Sequence, residues 1–187
     1  ALARDVRQQT STLPVLAELR CVGADQTRQL RFTLNRPVEA LLVAQGEIDG
    51  DNAYDFATLL RDGRPVWTMR HRDTERAGGR SSNRRAAAQL SLVPGAYLLG
   101  YETDDAHDCL DGFVGDEGEG LEDPTLWGAV LVALTPDVDL ATAISDRTET
   151  PGLRPPDAEE PRAAELPAGV LADFARVGDR ARLEAPF

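Results

Sequence analysis

Seven short apolar or alternating runs, each bounded by Gly, Pro, Asn or Asp, constrain this chain more than any other feature. They cover residues 28–35, 38–45, 54–61, 65–71, 86–93, 96–103 and 127–134. In the clearest of them the period is two: Leu30, Phe32 and Leu34 share one side while Arg31, Thr33 and Asn35 take the other, and Tyr97, Leu99 and Tyr101 repeat the pattern. Strands of this kind have one buried face and one wetted face. Seven of them with turn signals between predict an all-β fold, an antiparallel β-sandwich. The turns carry their own chemistry. Asn35-Arg36-Pro37, Arg61 to Pro65 and Val93-Pro94-Gly95 combine a φ fixed by Pro with the positive φ that Gly permits.

Two connections are long, residues 72–85 with Gly78-Gly79 and residues 104–126 with four glycines among acidic residues. Long connections in compact domains tend to be functional or disordered. After the last run, Thr135 as N-cap, Pro136 at the first helical position and Asp137 in the first turn predict a short helix over Val138 to Ile144. Residues 145–167 then hold five prolines among charges and read as a semi-rigid Pro-rich linker. Beyond it the sequence repeats itself. Residues 15–32 align without gaps on residues 170–187, with Val15, Leu16, Ala17, Val22, Gly23 and Phe32 recurring at a constant offset of 155. The expected organisation is an N-terminal extension (1–14), a sandwich module (15–145), a linker (146–169) and the first strand of a second, truncated tandem repeat (170–187). The repeated strand either belongs to a longer tandem protein, of which this chain is a fragment, or adds to a sheet edge in this or a neighbouring molecule.

Phe32-Thr33-Leu34 followed by Val38 to Val43, then Asp55 to Val66, then Leu92-Val93-Pro94-Gly95-Ala96-Tyr97-Leu98-Leu99 and a closing strand resembles the bacterial pre-peptidase C-terminal (PPC) β-sandwich family over about residues 28–134. The resemblance implies a jelly-roll or PPC-like sandwich and the role of a secreted, non-catalytic accessory domain, often tandem, attached to peptidases and other extracellular proteins. The two long loops depart from the family pattern.

Charge narrows the function classes. The 187 residues carry 32 acidic side chains and 20 basic ones, all Arg, for a net of −12. Nucleic-acid binding needs a basic surface and is disfavoured. No apolar run approaches the length of a membrane-spanning helix, and residues 1–13 lack the apolar core of a signal peptide, as in a mature or excised chain. The charge is also polarised. Residues 102–123 hold ten acidic side chains and no Arg, whereas residues 61–85 hold eight Arg against Asp62, Asp73 and Glu75. Cys21 and Cys109 permit one disulfide, which would place the chain outside the cytosol, and whether they pair is open.

Three constellations carry candidate chemistry. Asp104, Asp105, His107, Asp108 and Asp111 cluster where a strand enters the acidic loop, as a hard cation such as Ca²⁺ requires, although the spacing fits no defined metal motif and Asp49-Gly50-Asp51-Asn52 lacks the continuation of an EF-hand. Trp67 and Trp127 are the candidates for an exposed aromatic face that stacks on a sugar, with core filling as the alternative. Arg70, Arg72, Arg76, Arg80, Arg84 and Arg85 form a positive strip suited to docking onto an acidic loop of this or another module, with a solvated hairpin as the alternative. Catalysis has little behind it. No nucleophile elbow is present, and neither His71 nor His107 has an evident nucleophile beside it. The expectation is a non-catalytic extracellular, periplasmic or cell-envelope module for binding or assembly. Its partners would be other copies of the module or another envelope protein, and Ca²⁺ is the one candidate cofactor. A carbohydrate-binding domain and a metal-dependent hydrolase centred on His107 are the alternatives.

Overall fold

A computed structural model describes residues 12–105, 109, 120–135 and 138–151, all within the first of two units, Ala1–Arg154; the second, Pro155–Phe187, lies outside the described residues. Two antiparallel sheets pack face to face. In the first sheet the order is β1 (Val15–Leu19), β10 (Gly128–Ala133), β3 (Val38–Asp49), β8 (Asn83–Leu92) and β7 (Glu75–Arg76), with β4 (Asn52–Ala53) folded back on the end of β3. The second sheet runs β11 (Ile144–Pro151), β2 (Thr27–Leu34), β9 (Gly95–Glu102), β5 (Phe56–Arg61) and β6 (Arg64–Thr68). The all-β sandwich is therefore present, and each of the seven expected runs is a strand.

The alternation sorts side chains as the period dictates. Leu30, Phe32 and Leu34 of β2, Tyr97, Leu99 and Tyr101 of β9, and Ala57 and Leu59 of β5 point inward onto Leu16, Leu19, Leu42, Ala44, Ala129 and Leu131 of the opposite sheet. Phe32 and Tyr97 are cross-strand partners whose rings stack with centroids 5.4 Å apart. Full burial of a side chain of this size is worth about 2–3 kcal/mol. Strand β10 does not alternate because both of its faces are covered. Ala129 and Leu131 join the main core, while Val130 and Val132 meet Val43 and Leu126 on the outer side of the sheet.

Two expectations need correction. Residues 146–151 do not belong to a linker: Ile144–Pro151 is an edge strand hydrogen-bonded to β2, with a register shift between Ser145 and Thr148. Its Glu149 also pairs with Arg28 across the ladder. The short helix α1 (Leu140–Ala143) is capped not by Thr135 but by Asp139, whose carboxylate accepts the Ala141 N–H at 3.0 Å. The remainder of the linker, the repeated segment 170–187 and most of the N-terminal extension lie outside the described residues.

Candidate metal centre

The site is built where three chain crossings meet at one end of the sandwich. Strand β3 leaves the first sheet at Asp49, and after β4 the chain crosses to the second sheet at Asp55. The N–H groups of Tyr54 and Asp55 both donate to the Glu47 carbonyl, at 3.0 and 3.1 Å, and this clamps Asp55 beside Glu47. Gly46 is required there, because a Cβ at that position would overlap the Asp55 carbonyl. The third crossing follows β9. The Thr103 hydroxyl donates to the Gly23 carbonyl at 2.7 Å and accepts the Gln26 N–H at 2.9 Å, while the Thr103 N–H reaches the Gln26 carbonyl. Asp104 is thereby fixed: its carbonyl accepts the Asp25 N–H at 2.6 Å and its N–H donates to Asp55 Oδ1 at 2.8 Å.

The outcome is three carboxylates, Glu47, Asp55 and Asp104, with an oxygen of each within 4.8 Å of the others. That separation is about twice a Ca²⁺–oxygen distance, so one ion can touch all three. Asp55 is fully buried and Glu47 is 9 % exposed. Burial pushes the Asp55 carboxyl up to about 7; the Asp104 N–H and the facing Trp127 indole favour its ionised form, and the Asp104 and Glu47 charges oppose it. Ser82 Oγ donates to Glu47 Oε1 at 2.7 Å and orients it. A set of hard oxygen donors without imidazole or thiolate suits a hard cation rather than a transition metal.

The site overlaps the sequence expectation at one residue. Asp104 belongs to it; Asp105 is exposed and is not among the three; His107, Asp108 and Asp111 lie outside the described residues. Glu47 and Asp55 escaped sequence reading because both sit at strand ends, remote from the acidic block in sequence.

The other candidates are also placed. Cys21 and Cys109 form a disulfide, so the acidic segment is tied to the β1–β2 connection five residues past Asp104. Such bonds persist in oxidising compartments. Trp127 is fully buried, which removes it as a sugar-stacking surface, and Trp67 is half-buried against the core on the inner side of β6. Arg72, Arg76 and Arg80 are exposed. Arg84 is half-buried and donates to the Thr74 carbonyl and hydroxyl at 2.7 and 2.9 Å.

Arg85 makes the contact expected of the strip. It is 6 % exposed and bridges Glu75 at 2.7 Å and Glu122 at 3.0 Å, joining the basic segment to the end of the acidic one. Gly78 pairs with Leu121 beside it, and the Glu122 N–H donates to the Ala77 carbonyl at 3.0 Å. A side chain at Gly78, with φ of 93°, would come within 2.7 Å of the Gly120 carbonyl. Among the described residues, the basic segment thus docks on the end of the acidic one, at Leu121 and Glu122, within one module.

Comparison with family models, with curated proteins and with solved structures finds no match to this chain. Among the described residues no helix is long and apolar enough to cross a membrane.

Proposed function

We propose that this chain is a non-catalytic β-sandwich module of a secreted or cell-envelope protein, a binding or assembly unit of the PPC-like kind, stabilised by Ca²⁺ held between Glu47, Asp55 and Asp104. The observation that carries the reading is the convergence of three carboxylates, one of them fully buried, at the end of the sandwich. Like charges in a desolvated cluster repel, and the repulsion is relieved either by a proton or by a cation. Ca²⁺ suits the donor set because it accepts oxygen ligands in irregular geometry, whereas Mg²⁺ demands a regular octahedron. The two-sheet antiparallel fold is the one the resemblance implies. The disulfide supports a location outside the cytosol. The sugar-binding reading has lost Trp127 to the core, and nothing in the described site favours hydrolysis.

Thermal unfolding of the full chain at pH 8 tests the reading. Millimolar Ca²⁺ raises the melting temperature above its value in EDTA, because a ligand of the native state stabilises by mass action. Equal amounts of Mg²⁺ raise it less. Coincident melts in Ca²⁺ and in EDTA overturn the proposal.

A further inference from the structure

One edge of the first sheet is left open in a way the other edges are not. β1 follows Pro14 and carries Glu18; β11 carries Asp146, Arg147, Glu149 and Pro151; β6 opens with Arg64-Pro65; and β7 is two charged residues long. Proline and charge are how native sheets discourage strand addition. β8 has neither from Ala86 to Leu92, and its pairing with β3 runs straight from Asn83 to Leu92 without a bulge. β7 covers it only at Arg84 and Arg85. Ladder alternation fixes which groups face outward. The Ile48 N–H bonds the Ser82 carbonyl and the Ala77 N–H bonds the Asn83 carbonyl, so even-numbered residues of β8 bond β3 and odd-numbered ones face away. Ala87, Gln89 and Ser91 therefore present N–H and C=O groups along the open edge, and no backbone partner meets them among the described residues.

The flank beside this edge is apolar. The sandwich stacks β1 on β2, β10 on β9 and β3 on β5, which sets β8 and β6 along the same side. Ala88 and Leu90 of β8 and Trp67 of β6 face the core yet remain half-exposed. Among the described residues the exposed large apolar side chains are Tyr54, Val66 and Val93; Val66 belongs to β6 and Val93 follows β8.

We infer that this edge pairs with the same edge of a second copy of the chain, β8 against β8 in antiparallel register about a two-fold axis at Gln89. The register is self-complementary. Ala86 stands opposite Leu92 of the partner subunit and Ala88 opposite the partner's Leu90, so each inward small side chain meets a large one. Ala87 pairs with the partner's Ser91, and Gln89 with the partner's Gln89. The three outward-facing pairs then exchange roughly six backbone hydrogen bonds. The fit also ends where it must: the partner strand stops at Leu92, opposite Ala86, and β7 occupies the edge from Arg85 onward. Charge permits the approach. Two chains of net −12 repel, but residues 86–101 carry no charged side chain, and the nearest carboxylate, Glu39 of β3, accepts the Ser91 hydroxyl at 2.9 Å from the side away from the open edge, so no charge stands on the pairing strand itself.

The interface does not use the cation site, and the test is run on the full chain in EDTA and again in Ca²⁺ so that the two ideas fail separately. Analytical ultracentrifugation from micromolar to millimolar chain shows a reversible monomer–dimer equilibrium that tightens as NaCl screens the net charge. Gln89→Pro removes an outward N–H without touching the β3 ladder, and Gln89→Arg sets like charges on the axis from an exposed position. Each weakens dimerisation at least tenfold while the chain still melts cooperatively. A monomer throughout the range, or a dimer indifferent to both variants, overturns the inference.

Discussion

Replacing Asp55 by Asn separates charge from shape at the centre of the acidic cluster. In the unfolded chain the Asp55 carboxyl titrates near its ordinary value of 3.8, and in the folded protein near 7. The folded state therefore holds a proton that the unfolded state has released between these two pH values, and stability falls as pH rises through that window. A difference of about 3 units at 1.36 kcal/mol each puts the loss, complete above pH 7 in the absence of cation, at about 4 kcal/mol. Asn carries no charge to desolvate, keeps an amide oxygen for the Asp104 N–H, and offers an NH₂ group to Glu47 and Asp104. Urea unfolding in EDTA measures the outcome. Asp55→Asn is more stable than wild type at pH 8 by a large part of that figure, and the two proteins converge near pH 4. Ca²⁺ closes the gap at pH 8 by stabilising wild type alone. A variant less stable than wild type by the same amount at both pH values refutes the reasoning, since the buried carboxylate would then be contributing packing and hydrogen bonds without repulsion.

Other consequences follow from the same packing. Removing the bridge with Cys21→Ser and Cys109→Ser frees a loop of 88 residues and costs about 4–5 kcal/mol on the loop-entropy estimate, read as a shift in urea midpoint that reductant no longer changes. Gly78→Ala, strained by its φ and by the Gly120 carbonyl, costs about 1–3 kcal/mol and speeds hydrogen exchange at the Glu122 amide; unchanged exchange there contradicts the docking of Ala77 and Gly78 on Leu121 and Glu122. In a Trp67→Phe protein the remaining indole, Trp127, is shielded from iodide until the chain unfolds, and strong quenching in the native state contradicts its burial.

How much was legible in the sequence depends on whether the signal was local. Period-two alternation is local, and β2 and β9 follow it residue by residue. β11 was hidden because an edge strand needs few apolar residues, and its charges and terminal proline read as a linker. β1 was visible only as one half of a repeat. The cation site shows the limit most clearly. The run beginning at Val38 turns polar at Gln45, so its strand was expected to stop there, yet β3 continues to Asp49 and carries Glu47 to the end of the sheet. Asp55 was counted inside the run 54–61, as one polar position of a strand, whereas β5 begins only at Phe56 and leaves Asp55 at its mouth. Only the pairing of β3 with β4 and the clamp from Asp55 to the Glu47 carbonyl bring these residues to Asp104, 49 positions further along. The dense acidic block pointed to the right end of the molecule, whereas the buried ligands came from strand ends that no spacing rule marks.

The central claim is that a cation sits between Glu47, Asp55 and Asp104, and Tb³⁺ luminescence tests it most directly. Tb³⁺ replaces Ca²⁺ at oxygen sites, and the Trp127 indole faces Asp55, close enough to pass its excitation to an ion bound there. The account predicts Tb³⁺ emission on excitation of tryptophan, displaced by Ca²⁺, preserved in Trp67→Phe and lost in Trp127→Phe and in Asp55→Asn. Emission that is absent, or that survives unchanged in Asp55→Asn, contradicts it.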